Sequence, residues 1–449
     1  MFKKPLFVVI VAVLACTMIL SACGAPATAA PAAVQPTAPA AAATAAPAAS
    51  NVVTITMWHG FNAHEVTFLA GIIKKYWDPT HPNIHVITVG EKHNDAMLTA
   101  MSGGDSPDLV MSESSEAITL WASQGAIMDL TPAIEPVKAQ LESIMVPAGL
   151  QWVMLNGKYY GLPFVNYNEG LFYNKDLFKA AGLDPDKPPK SLAELKEYAQ
   201  KLTKVDANGN ITQLGWKPIN DVWSAIYFLM PSGGRFYDPL TLAPTLNDPA
   251  NIAAFQWDLD LQKIYGLDKV AAFTTGFAGG DDPFQLGKVA MYINGCWMPA
   301  FFKTSAPNLH YGVAAVPYSD PKFANAGSLG TNPLAVPTAS KHPKEAMEFA
   351  IWLAMNADVS REFSAEIDNI PQIKSELTTF TTDPDTKFFA DLTTSPNSAA
   401  WAPVPYSQKY LDEMTSAIGE MYNKGTAPKD ALDAAQKIVE DAAKDYIKK

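Results

Sequence analysis

From residue 52 onward short apolar runs alternate with helical stretches, and this alternation restricts the fold more than any other feature of the chain. Val52 to Trp58 reads as a strand, as do Ile84 to Val89 and Asp108 to Met111. Helical segments fall between them, at about Glu65 to Trp77 and at Asn94 to Met101, and the turn Ser102-Gly103-Gly104-Asp105-Ser106-Pro107 sets off the third strand. Short strands separated by helices predict an α/β chain with a parallel, doubly wound sheet. Ligands of such sheets sit at the carboxyl ends of the strands. Those ends lie at Trp58 to Asn62, at Glu91 and at Ser112 to Ser115.

A second α/β unit begins near Gly161-Leu162-Pro163-Phe164 and carries the strand Leu171-Phe172-Tyr173. Ser191 followed by Glu194 is a capping box, which predicts a helix over 191–203. Asp206-Ala207-Asn208-Gly209-Asn210 shares the opening of a calcium loop but lacks the distal ligands, so it reads as a hairpin turn. Val289 to Ile293 and Tyr311 to Val316 are further strands. From about Tyr410 the tail is helical, with Gly425 and Pro428 dividing two helices.

The chain has 449 residues, enough for two domains with a core each. Its formal charge is −12 and no Lys/Arg cluster is present, which argues against nucleic acid or anionic lipid as a partner. Arg235 and Arg361 are the sole arginines, so a strongly anionic ligand lacks its preferred bidentate clamp. Of the three cysteines, Cys296 lies in an apolar, aromatic stretch from Tyr292 to Phe302 and reads as buried and structural rather than nucleophilic.

Lys3 and Lys4 precede an apolar run from Leu6 to Leu20, too short to span a bilayer, and small residues follow. This is the build of a secretory signal peptide over 1–22. With Cys23 after Leu20-Ser21-Ala22, it resembles the bacterial lipoprotein signal, in which that cysteine is lipidated and becomes the first mature residue. Residues 23–50 are almost wholly Ala, Pro and Thr, a semi-rigid tether without a core. The expectation is an exported body, lipid-anchored to the outer face of the cytoplasmic membrane.

An ordered set of segments carries a wider resemblance. They are Ile55-Thr56-Met57-Trp58-His59-Gly60; Gly104-Asp105-Ser106-Pro107-Asp108-Leu109-Val110; Leu162-Pro163-Phe164 with Leu171 to Phe178; and Gly287 to Trp297. Val313 to Pro317, Gly327 to Pro337, Asn369-Ile370-Pro371-Gln372 and Pro428 to Ala435 complete the set. Together they resemble the extracellular solute-binding proteins of ABC importers, specifically the sugar-binding family that includes maltose-binding protein. The resemblance implies a two-lobed α/β fold with a ligand cleft between the lobes. Lobe one would hold 51–162 plus about 325–370, and lobe two about 163–324 plus 371–449. It implies a monomer that captures a neutral sugar or oligosaccharide and delivers it to a membrane permease, without catalysis, cofactor or metal.

Sugars present C–H patches and rim hydroxyls, so their sites need flat aromatic platforms beside short polar groups. The resemblance places Trp58 at the end of the first strand, as platform or as packing beneath the cleft, with Asn62 and Glu65 next to it. Glu65 also suits a helix N-terminus electrostatically. It implies contacts at Glu91, Ser112 and Ser115, with Glu113 an equal choice, and at Asn166 and Tyr167. Asp221, Trp223 and Trp297 are implied in the second lobe, and Gly330 and Thr331 on the returning segment. Trp401 departs from the family pattern and is left between cleft and core. A glycosidase would need paired carboxylates such as Asp221 and Glu91, but no hydrolase motif accompanies them. The histidines His59, His64, His81, His85 and His93 form no metal-binding stretch. Another small solute, such as a glycerol phosphate, polyol, peptide or metal, is the alternative cargo.

Overall fold

The computed structural model describes residues 52–277, 282–378 and 384–447. The signal peptide, Cys23 and the tether lie outside the described residues.

The body opens with β1 (Val53–His59), α1 (Ala63–Ile72), β2 (Ile84–Val89), α2 (Asn94–Gly103), β3 (Leu109–Met111) and α3 (Glu116–Ser123). β1 pairs in parallel with β2, from Val53 opposite Ile84 to Trp58 opposite Val89, and with β3 on its other side. α1 starts before Glu65 because Asn62 caps it. The Asn62 Oδ1 accepts the His64 and Glu65 backbone N–H groups, and the Glu65 carboxylate accepts the Asn62 N–H at 2.8 Å. A π-helical turn, Ile73–Trp77, carries the helix to its expected end.

The second part contains β4 (Leu162–Asn174), α4 (Leu192–Leu202), α5 (Val222–Leu229), β5 (Met291–Gly295), α6 (Met298–Ser305), β6 (Tyr311–Ala314) and β7 (Gly327–Ala335). It continues through α7 (Pro343–Met355), α8 (Ala357–Glu366), β8 (Ile370–Pro371), α9 (Ser407–Lys424) and α10 (Pro428–Ala443). The capping box of Ser191 and Glu194 opens α4 as the sequence predicts. Asp206 accepts the Asn208 and Asn210 N–H groups inside a hairpin, so that segment is a turn.

The main sheet runs β6-β4-β7-β3-β1-β2, with β5 and β8 also paired to β4. β1, β2 and β3 follow the parallel pattern expected of the opening segment, but the strands added to them do not. β7 lies antiparallel to β3, with Leu334 opposite Met111, and β4 is antiparallel to β5, β6, β7 and β8. β7 returns from the second half of the chain and enters the sheet from the opposite end.

Two large hydrophobic cores result, and β4 contributes to both. Leu162, Phe164 and Val165 pack with Ile55, Met57, Leu69, Phe349 and Phe363. Leu171 and Tyr173 pack with Phe228, Phe255, Met414 and Leu432. Each fully buried side chain of this size contributes roughly 1.5–3 kcal/mol. Trp401 is buried in the second core between Trp152, Phe236 and Tyr410, and its indole N–H donates to Glu116 at 2.8 Å. It does not line the cleft. Among the described residues no helix is long and apolar enough to cross a membrane.

Candidate ligand-binding cleft

A cleft of about 720 Å³ opens where β4 passes from one core to the other. Elements of the first core supply Phe61, Asn62 and Glu65 around the start of α1, and Met111 to Ser114 after β3. Asn332, Ile367 and Asn369 complete that side. Elements of the second core supply Lys217, Asp221, Trp223, Ser224 and Tyr227 around the start of α5, and Ile293, Asn294 and Trp297 around the end of β5. Between the two groups, Tyr167 and Glu169 of β4 reach the cleft from the same face of the strand.

Trp223 and Trp297 are each 38% exposed, unusually open for indoles. Trp297 meets Tyr167 edge-on, with ring centroids 6.3 Å apart. Two glycines give these rings room. A Cβ on Gly295 would lie 2.1 Å from the Trp297 indole, and one on Gly330 would lie 2.2 Å from the Tyr167 ring. Bare backbone at these positions lets both side chains fold back along the sheet.

The polar lining is rich in carboxyls and amides. Asp221 caps α5 through the Ser224 N–H at 2.9 Å, accepts the Ser224 hydroxyl at 2.8 Å and pairs with Lys217 at 3.4 Å. Asn332 donates to the Glu113 carbonyl at 2.9 Å, and Glu113 also holds His93 at 2.8 Å. Burial pushes Glu65 above the usual carboxylate range against the pull of its bond from Asn62. Burial, reinforced by the nearby Asp221 charge and opposed by Lys217, pushes Glu169 up to about 8. Lys217 is the cleft's cationic side chain, and no arginine lines it.

Of the residues expected from the sequence, Asn62, Glu65, Ser112, Glu113, Tyr167, Asp221, Trp223 and Trp297 all line this one cleft. Several have structural work as well. Asn62 and Glu65 cap α1, Asp221 caps α5, and the Ser112 hydroxyl donates to the Ser114 carbonyl at 2.6 Å with the Asn94 Oδ1 2.9 Å away.

The other expected residues lie outside the cleft lining. Strand alternation turns Trp58 away from the face of Met57 and His59, onto Val110, Ile118 and Trp121, with the Lys92 ammonium 5.0 Å from its ring centroid. Glu91 is exposed, at φ 54°, in a turn whose N–H donates to the Phe61 carbonyl. The Ser115 hydroxyl is buried, donating to the Thr331 carbonyl at 2.9 Å and accepting the Thr331 N–H at 2.7 Å. Thr331 in turn donates its hydroxyl to the Val165 carbonyl. Asn166 is fully buried on the opposite face of β4 from Tyr167, with its amide donating to Pro371. Gly330 supports Tyr167 from behind. Because Glu91 stands outside, the carboxylate pair with Asp221 that a glycosidase would require is not assembled.

Glu169, Lys217, Asn294, Asn332 and Asn369 join the cleft without having been singled out in the sequence. The available signal for Glu169 was a lone charge in a strand whose other residues are all uncharged. For Lys217 it was its position four residues before Asp221. Cys296 is buried, with its sulfur 3.8 Å from Asn369, and burial pushes its thiol up to about 12, which fits the structural role expected of it. No group of His, Cys, Asp and Glu among the described residues could hold a metal ion.

Residues 62–358 match the family described as bacterial extracellular solute-binding protein. The chain is 25% identical to the maltotriose-binding protein of Pyrococcus abyssi over 338 residues, covering 74% of this chain and 68% of that protein. It is 27% identical to the galactooligosaccharide-binding protein of Bacillus subtilis over 282 residues, covering 61% of this chain and 62% of that protein. Among solved structures it resembles CpMnBP1 with mannotriose bound, at a TM-score of 0.76 and 28% identity, covering 86% of this chain and 100% of that chain.

Proposed function

Because the chain belongs to the bacterial extracellular solute-binding protein family, we propose that its cleft captures an uncharged oligosaccharide outside the cell for delivery to an ABC permease. The observation that carries this is the pair of exposed indoles, Trp223 and Trp297, set beside carboxyls and amides in one cleft. Indole faces cover the C–H patches of a sugar ring, and the carboxyls and amides take its hydroxyls. Relatives named for maltotriose and galactooligosaccharide, and a structure holding mannotriose, support the ligand class. A phosphorylated solute is disfavoured by several carboxyl groups against a single lysine.

The two cores would serve as two lobes, 51–162 plus about 325–370 and about 163–324 plus 371–449, closing over the ligand by a hinge motion. Cys23 would carry the lipid that holds this monomeric receptor to the outer face of the cytoplasmic membrane, with the Ala/Pro/Thr tether as spacer. The role is binding without catalysis.

Calorimetric titration with maltotriose, mannotriose, a galactooligosaccharide and glycerol 3-phosphate tests the reading. Selective heat from one of the sugars is the expected result. Binding of glycerol 3-phosphate alone, or of none of the four, would overturn it.

A further inference from the structure

Resting on that reading, we propose that Glu169 is a further ligand-recognition residue, whose carboxyl, left without a protein partner at the cleft wall, hydrogen-bonds an oxygen of the cargo. Glu169 sits in the middle of β4 with Gly295 opposite it in the neighbouring strand, the glycine over which the Trp297 indole folds. It is 8% exposed and lines the cleft, yet its carboxyl has no hydrogen-bond partner among the described residues. Its oxygens are not among the side-chain atoms sealed from solvent, so they face the cleft, and a ligand that displaces solvent there must supply their hydrogen bonds. The other cleft carboxyls differ, because Glu65, Glu113 and Asp221 are all held by protein donors. Glu169 is the carboxyl left over for cargo.

Its surroundings set which way the bond points. Asp221 and Lys217 face it from the lead into α5, and Tyr227 from α5 itself. Tyr167 faces it along its own strand, and Tyr292 and Cys296 from β5 and just beyond. Burial and the Asp221 charge outweigh Lys217, so the carboxyl keeps its proton up to about pH 8. A protonated carboxyl can donate to a sugar hydroxyl or ring oxygen, which the ionised form cannot do. Affinity for an uncharged sugar is therefore undiminished below that pH and falls as the proton leaves above it.

The experiment is calorimetric titration of the wild-type protein and of Glu169→Gln with maltotriose and mannotriose, from pH 6.5 to 9.5. The wild type is expected to weaken about tenfold or more between pH 7 and 9.5. Glu169→Gln keeps a donor, so it is expected to bind at pH 7 within several-fold of wild type and to show no such decline. The variant also separates Glu169 from titration of Lys217 and the tyrosines. Affinity that is flat or rises with pH in the wild type, or an equal decline in Glu169→Gln, overturns the inference while leaving sugar binding intact. Absence of sugar binding at every pH overturns the function itself and this inference with it. If Glu169→Gln fails to fold, a wild-type affinity that is flat or rises between pH 7 and 9.5 still overturns the inference.

Discussion

Replacing Trp297 by alanine tests the indole platform directly. The side chain is 38% exposed in the cleft. Taking a full indole surface as about 250 Å², some 95 Å² remains for a ligand to cover. At about 25 cal/mol per Å², complete coverage contributes roughly 2.4 kcal/mol, and contact on one ring face about half of that. Trp297→Ala should therefore weaken sugar binding by about 1–2 kcal/mol, or roughly 5- to 30-fold in Kd. Trp223→Ala, at the same exposure, should cost a similar amount. Calorimetry with maltotriose or mannotriose measures both, well below each variant's unfolding midpoint, since loss of the contact with Tyr167 also lowers stability. Trp401→Phe is the control: it removes a buried indole and its bond to Glu116, so it should lower the midpoint while leaving Kd alone. If both cleft variants bind sugar as tightly as wild type, or if Trp401→Phe loses affinity as they do, the platform argument is refuted.

Three further outcomes follow from particular contacts. Gly330→Ala forces the Tyr167 ring to move, so it should cost about 1–3 kcal/mol in urea unfolding and also weaken sugar binding; no change in either would show that the ring has room to spare. His59 is fully buried with both ring nitrogens unpartnered among the described residues, and burial lowers it to about 4. The folded state thus binds fewer protons than the unfolded state between that value and 6.5. Stability is full above pH 6.5 and should fall by on the order of 3 kcal/mol as pH drops to about 4, a decline that His59→Leu should flatten in urea titrations across that range. A Cys23→Ser protein should take up iodoacetamide at Cys296 only after unfolding; rapid native labelling at pH 8 would contradict the burial of that thiol.

Local signals in the sequence translated well into structure, because they depend on neighbours along the chain. The limits of β2, the capping box of Ser191 and Glu194, and the division of α9 from α10 at Gly425 and Pro428 were all legible. Sheet direction was not, because β7 pairs with β3 across more than 200 residues and nothing in its own composition records the partner's orientation. β4 was read only at its apolar ends, since Asn166 to Glu169 interrupts the hydrophobic run where the strand reaches the cleft. Glu65 carried a double signal, for a helix N-terminus and for ligand contact, and it does both; Asn62 and Asp221 were read as ligand contacts alone, yet they also cap helices. Trp58 and Ser115 lay close to the cleft in sequence, but strand alternation and one buried hydrogen-bond pair turned them elsewhere.

The uninterrupted run of β4 through both cores has a mechanical consequence. If the two cores rotate against each other as proposed, torsions near residues 166–169 would take up part of the motion, and that stretch would act as an axle. Points on an axle move least, so Tyr167 and Glu169 would keep their posts while the indoles beyond them swept through an arc. Cargo would then meet a stationary seat before the jaws shut, and the first encounter would be decided at the pivot.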